Sequence, residues 1–356
     1  MGSPSTLDDW YNYIKKCQAD DPTILGASII GSGISALAYA FKAQFGMHGT
    51  MGTNWDYWML QDGKWVDGRL LPNFKDLTAE VARWWKGGAV DPAMATNTGW
   101  ENKDTLWKQG KIVAGPIEYL ETMENEENHP DPNFDTHFSL PPKGPTGEQG
   151  EAPNNCGWNY WCWAMGKDCK DVAGACRYFD FAYTCEGWTM LHVGVEGKHH
   201  TIQPDGTYKF TDYVIDTLDK EMKEFGTGRL ASFRKWFGFE MIGVTVCPEP
   251  QHSNVYAAFR GIMQSEENKA AWDLLFPALL AQEQWFAPPI TPEQNDEMQQ
   301  INQDLGTYFN ENWTAFLLGN KDMSEWDSFI AELDKLGIKR IGEIWNEAEA
   351  AFDRPS

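Results

Sequence analysis

Apolar residues recur at helical spacing from the start of the chain, where Leu7, Trp10, Ile14 and Cys17 keep one face. Thr6 stands before them with Asp9 three residues on, a capping-box pattern in which Asp takes the place of the usual Glu. Asp20-Asp21-Pro22 ends that helix, because a residue before proline avoids the helical region. Residues 55–66, WDYWMLQDGKWV, predict two short strands joined at Asp62-Gly63. Residues 72–88 predict an amphipathic helix with Phe74, Leu77, Val81 and Trp84 inward and Gly87-Gly88 at its stop; Trp85 also falls at a core position. A short helix over ENKDTLWKQG then leads into a buried strand, Gly110-Lys111-Ile112-Val113-Ala114. That strand breaks at Gly115-Pro116 and presents Glu118 and Tyr119.

Residues 121–155 change character: they are rich in Pro, Gly and acid and read as surface loops around one short strand near Phe138 to Leu140. Residues 157–165, GWNYWCWAM, predict a strand of alternating bulky residues, and 170–188 predict a packed helix. Residues 199–212 predict a hairpin around Pro204-Asp205-Gly206. The C-terminal part is helical. Ile301, Leu305, Tyr308 and Phe316 share one stripe; Ser324 is in cap position before a helix with Trp326, Ile330 and Leu333 inward and Gly337 at its end; Ile341, Ile344, Trp345 and Phe352 continue in a last helix. No internal repeat is visible. Strands and helices alternate through the first half, so the class is α/β.

The 356 residues suffice for about two domains. No run of about 18 apolar residues occurs; the lowest-charge stretch, 24–41, is full of Gly and Ser and reads as a packed helix and its approach. The formal charge of −23 argues against nucleic acid and anionic lipid as partners, since both demand basic surface. The 18 Trp, 19 Phe and 12 Tyr exceed what a core ordinarily holds, and ring faces are what a protein offers to the C–H faces of a sugar. The seven Cys leave at least one unpaired within the chain, and their spacings match no zinc pattern, so buried small residues are the first reading, a disulfide is the alternative, and no metal is expected. His199-His200 sit in the predicted hairpin, where neighbouring residues point to opposite faces, which disfavours a shared metal. Asn312-Trp313-Thr314 matches a glycosylation acceptor, but it falls within a predicted helix.

Several stretches, in order, carry a resemblance: STLDDWYNYIKKCQADDP, LQDGKWV, PNFKDLTAEVARWWKGGAVDPA, LWKQGKIVAGPIEYLE, then CRYFDFAYTCEGWTMLHVGVEGKHHTIQPDGTYKFTD and the tail from Leu305 to Phe352. Together they resemble extracellular solute-binding proteins of ABC transporters, the large family that includes maltose-binding protein, in their Gram-positive lipoprotein subfamily. The resemblance covers nearly the whole chain. It implies a periplasmic-binding-protein-like fold of type II: two α/β lobes, a hinge, a helix-rich C-terminus, and ligand held in the cleft between the lobes. It also implies a division into 1–155 as a second-lobe core with the first hinge crossing near 115–120, 156–289 as the remaining first-lobe segment, and 290–356 as helices packing back on the second lobe. Against the family pattern the first lobe is incomplete: its N-terminal part, the signal peptide and the lipid-modified Cys are expected upstream of this sequence. A calcium loop present in some relatives is missing, because QADDPTILG cannot form it.

The resemblance places ligand just past the strand that ends at Ala114, with Tyr119 as a stacking face and Glu118 as an acceptor for sugar hydroxyls. Trp158, Tyr160, Trp161 and Trp163 fall where the family has its second interlobe crossing, and alternation sends Trp161 and Trp163 to one side and Tyr160 to the other. Trp55 and Trp58, before the first hairpin, are candidates for the wall of the second lobe. The ligand-binding candidates are therefore Glu118, Tyr119, Trp55, Trp58, Trp158, Tyr160 and Trp161, with no catalytic residue and no cofactor. The expected partners are a sugar ligand and the membrane permease of an ABC importer. The expected state is a monomer, extracellular and lipid-anchored in its full length. Three other readings stay open. A glycoside hydrolase needs a carboxylate pair, which 52 acids could supply without marking any one pair. A non-sugar solute such as a peptide would suit the same family, and a surface-adhesion protein would bind no small sugar.

Overall fold

The computed structural model describes residues 4–29, 33–47, 57–96, 105–107, 109–114, 139–150, 165–225, 251–263, 266, 269–270, 273 and 287–352. The chain divides into two units: one built from Met1–Pro116, Leu140–Cys156 and Ala278–Ser356, the other from Ile117–Ser139 and Gly157–Pro277.

The first unit starts with α1 (Leu7–Asp20), whose capping box forms as the sequence predicts: the Thr6 hydroxyl accepts the Asp9 N–H at 3.0 Å and the Asp9 carboxylate accepts the Thr6 N–H at 3.0 Å. Leu7 and Ile14 turn inward, and Asp21, held extended before Pro22, stops the helix. β1 (Gly26–Ala27) follows, then α2 (Ser35–Phe41), which continues as a 3-10 turn over Lys42–Phe45. β2 (Trp58–Gln61) and β3 (Lys64–Asp67) form the expected antiparallel hairpin. Its turn holds Asp62 at φ 49° and Gly63 at φ 73°, the left-handed pair that matches the twist of a two-residue hairpin loop. In α3 (Pro72–Lys86) Phe74, Leu77, Val81 and Trp84 are all buried, as their period requires, while Trp85 is half-buried against the same core.

β4 (Ile112–Ala114) pairs with β1 in parallel, Gly26 opposite Ile112 and Ala27 opposite Ala114. The C-terminal helices complete the unit. α8 (Pro292–Leu317) packs on α3, α10 (Ile338–Ala351) packs on β3, and α9 (Trp326–Lys335) lies between them in sequence and touches both α8 and α10. The core is aromatic: Phe74 stacks on Trp313 at 5.3 Å and on Phe309 at 6.1 Å, and the Trp313 indole N–H donates to the Thr78 hydroxyl at 3.0 Å.

In the second unit, α4 (Val172–Ala182) and α5 (Cys185–Val193) precede a hairpin of β5 (His200–Ile202) and β6 (Tyr208–Phe210), then α6 (Asp212–Phe225) and α7 (Gln251–Ile262). Its separate core gathers Trp188, Val193, Phe210, Val214, Leu218, Ala258 and Ile262.

Four local expectations are corrected. The single helix expected over 170–188 is two, because Thr184 leaves the helical region and its hydroxyl caps α5 by accepting the Gly187 N–H at 3.0 Å. Ser324 is not the cap of the penultimate helix; the Asp322 carboxylate accepts the Ser324 N–H at 2.8 Å and starts a 3-10 turn that runs into α9. Within α9 Phe329 takes the fully buried place beside Trp326 and Leu333, leaving Ile330 half-buried. Ser139 and Leu140 are not in a strand, and Phe138 lies outside the described residues. Instead Lys143 pairs with Thr6 and Gln149, tying this loop to the start of α1. Of the strand expected over 157–165, only Met165 is described, and it is irregular and exposed.

Candidate functional site

Three chain segments of the first unit run side by side in one direction. β1 lies in the middle: the Leu25 N–H donates to Lys111 O at 2.8 Å on one side, and on the other the Ala27 N–H donates to Ala89 O at 2.9 Å while Ala27 O accepts the Asp91 N–H at 2.8 Å. Gly26 allows this close approach. It sits at φ 106°, and a Cβ there would collide with the Ala89 carbonyl.

The carboxyl ends of parallel strands are where α/β folds place ligands. Here two of the three ends deliver a polar group: β1 is followed by Ser28, and the 89–91 segment ends on Asp91. Ser28 and Asp91 are both 4% exposed, and the Ser28 hydroxyl donates to the Asp91 carboxylate at 3.3 Å. The other carboxylate oxygen accepts the Ala93 N–H at 2.9 Å and caps the 3-10 turn Pro92–Ala95. A carboxylate held by a hydroxyl and a backbone N–H keeps acceptor capacity for the hydroxyl of a polar solute. Neither residue is among those the sequence points to. The available signal is a polar residue directly after a very short apolar run, at Gly26-Ala27-Ser28 and Ala89-Val90-Asp91.

Of the sequence-predicted residues, Glu118, Tyr119, Trp55, Trp158, Tyr160 and Trp161 lie outside the described residues. Trp58 is described. It opens β2, is 8% exposed, and belongs to the aromatic core of the first unit. The edge of its ring faces α10, where a Cβ on Gly342 would meet it at 3.5 Å. Trp58 and Trp65 line a groove of about 800 Å³ between the first hairpin and α10, with Lys64, Asn346 and Glu349 among its polar members. Trp65 is pinned there, its indole N–H donating to the Glu349 carboxylate at 2.8 Å.

Among the described residues, no group of three or more His, Cys, Asp or Glu is arranged to hold a metal ion. His200 is buried and its Nδ1 lies 3.1 Å from Val193 O, while His199 is half-buried in the turn just before β5. Cys17, Cys169, Cys176 and Cys185 are free thiols. Asn312 donates to Tyr308 O at 2.8 Å within α8 and accepts from Lys321, just past that helix, at 2.7 Å, and Trp313 beside it is fully buried. No helix among the described residues is long and apolar enough to cross a membrane.

No family model matches the sequence, and no curated protein matches it. Solved structures do. Alginate-binding protein AlgQ2, in a structure without calcium ion, is 17% identical with a TM-score of 0.69, over 98% of this chain and 69% of that one. The ABC-transporter substrate-binding protein FusA of S. pneumoniae, in complex with kestose, is 15% identical with a TM-score of 0.63, over 98% of this chain and 68% of that one. A solute-binding protein of Bifidobacterium longum infantis, associated with an ABC transporter that binds HMO, is 14% identical with a TM-score of 0.60, over 100% of this chain and 71% of that one. The chain therefore has the α/β, periplasmic-binding-protein-like fold of these solute-binding proteins.

Proposed function

We propose that this protein is the extracellular substrate-binding component of an ABC importer and that it binds an oligosaccharide without altering it. The observation that carries the reading is a fold likeness running over nearly the whole chain to proteins whose names record alginate, kestose and milk-oligosaccharide ligands. The abundance of aromatic residues supports a sugar, because indole and phenol faces stack on pyranose C–H faces. The net charge of −23 supports a neutral sugar over an anionic one.

In this reading Tyr119 stacks on the ligand and Glu118 accepts its hydroxyls, and Asp91 and Ser28 of the first unit are further candidates for polar contacts. Trp55, Trp58, Trp158, Tyr160 and Trp161 complete the ligand contacts. The partners are the sugar and the membrane permease, the protein acts as a monomer, and a lipid anchor on the full-length protein holds it at the cell surface. No catalytic group and no cofactor is required.

The test is calorimetric titration with a panel of kestose, nystose, milk oligosaccharides and alginate oligomers, paired with an assay for new reducing ends. Saturable binding in the micromolar range, with the sugar recovered intact, is the expected result. Steady release of reducing ends identifies a hydrolase instead, and a flat response across the panel removes the sugar reading.

A further inference from the structure

We infer that the corner joining α5 to β5 is an acid-sensitive latch, held closed by His199 in its neutral form and released when that imidazole is protonated. Three histidines border this corner, and their ring nitrogens play different parts. His192 places Nδ1 2.8 Å from Trp188 O, and His200 places Nδ1 3.1 Å from Val193 O. A carbonyl only accepts, so in both rings Nδ1 carries the proton. A second proton, at Nε2, leaves those bonds intact.

His199 is the reverse case. Its Nδ1 lies 2.9 Å from the Val195 N–H, which can only donate, so Nδ1 must be the bare acceptor nitrogen. Protonation at Nδ1 sets two donors face to face and the bond is lost. The bond closes the turn: Val195 O accepts the His199 N–H at 2.8 Å, so the two residues hold each other from both directions. Gly194 makes room for the ring, since a Cβ there would sit 2.5 Å from His199 Nδ1.

Lys198 from the turn and His200 from β5 favour the neutral form of the imidazole, whereas Glu196 of the turn and Asp212 at the start of α6 carry the opposite charge; the Tyr213 ring of α6 lies 5.9 Å from that of His199, and the Lys198 ammonium 5.7 Å from the Tyr213 ring. Burial is the main cause that lowers the His199 pKa below its ordinary 6.5, with Lys198 and His200 adding to it. Because the folded value is depressed, the latch keeps its full contribution above about 6.5 and loses it as pH falls from there toward the folded value.

Hydrogen exchange on the full chain, read by mass spectrometry over residues 193–200 and corrected for intrinsic rates, tests the latch at pH 7.5 and 5.0. Wild type is expected to lose about tenfold in protection at the lower pH, the scale of one hydrogen bond. His199→Asn keeps an acceptor oxygen near the Nδ1 position and cannot titrate, so its protection stays the same at both pH values. His199→Ala is unprotected at both. The inference is overturned if wild-type protection is unchanged at pH 5.0, if His199→Asn loses protection as wild type does, or if imidazole ¹⁵N shifts at pH 7.5 show Nδ1 protonated.

Discussion

Asn346, near the end of the last helix, grips Trp65 in the first hairpin by its backbone on both sides: its Oδ1 accepts the Trp65 N–H at 2.9 Å, and its Nδ2 donates to the Trp65 carbonyl at 3.0 Å. An amide side chain thereby substitutes for a neighbouring strand along the open edge of β3. Asn346→Ala leaves both backbone groups unpaired in a part-buried site and is expected to cost about 2–3 kcal/mol. Asn346→Asp keeps only the acceptor, loses the donor, and should fall between. Urea denaturation of the three proteins measures the order.

Asp67 and Arg69 form an ion pair at 2.6 Å whose side chains are 1% and 13% exposed. The guanidinium also lies 5.0 Å from the Phe309 ring. Removing either partner strands the other charge, so Asp67→Ala and Arg69→Ala should each cost about 3–5 kcal/mol. A double variant, Asp67→Leu with Arg69→Met, should recover much of the loss. A double-mutant cycle showing simple additivity would contradict this account.

Gly26→Ala puts a methyl group into the Ala89 carbonyl at a positive φ. The expected cost is on the order of 3 kcal/mol, because strain and a displaced strand act together. Ala27→Gly at the next position, as a control, should cost far less. If the sugar site lies at these strand ends, Gly26→Ala also weakens binding at temperatures where the chain stays folded, which calorimetry can separate from unfolding.

Asp91→Asn keeps the Oδ1 acceptor for the Ala93 N–H and removes the charge. It should unfold within about 1 kcal/mol of wild type yet bind oligosaccharide more weakly, since hydrogen bonds to a charged acceptor are roughly twice as strong as neutral ones. Equal affinity would restrict Asp91 to capping its turn.

Acid should weaken the start of α1. The Asp9 carboxyl is held below its ordinary 3.8 by hydrogen bonds from the Ser5 backbone first, then the Thr6 and Ser5 hydroxyls and the Thr6 backbone. A depressed carboxylate stabilises the fold above its unfolded value and loses that contribution as pH falls through the folded one. Asp9→Asn should therefore melt lower than wild type at pH 6, with the difference shrinking by pH 2.5 in thermal scans.

Local chemistry was readable from sequence where it acts between near neighbours. Asp62-Gly63 specified its turn, Thr6 and Asp9 their cap, and Phe74, Leu77, Val81 and Trp84 the buried stripe of α3. Thr184 shows the limit: an apolar helical period runs through it, but its hydroxyl competes for the backbone and splits the helix. The strand ends were harder. β1 has two residues, too few for any period, and its neighbours come from positions 89–91 and 111–114, so Ser28 and Asp91 meet only through non-local pairing. Trp58 marks another limit, because alternation along a strand gives two faces without saying that one of them meets α10.

The grip of Asn346 on Trp65 spans 281 positions. During synthesis the first hairpin leaves the ribosome long before its partner helix exists, whereas every residue of the second unit precedes Ala278. The inserted unit can thus acquire its structure on the nascent chain, while the unit that hosts it must wait for the final turns of α10. Until then the Trp- and Phe-rich surfaces of the host stay uncovered.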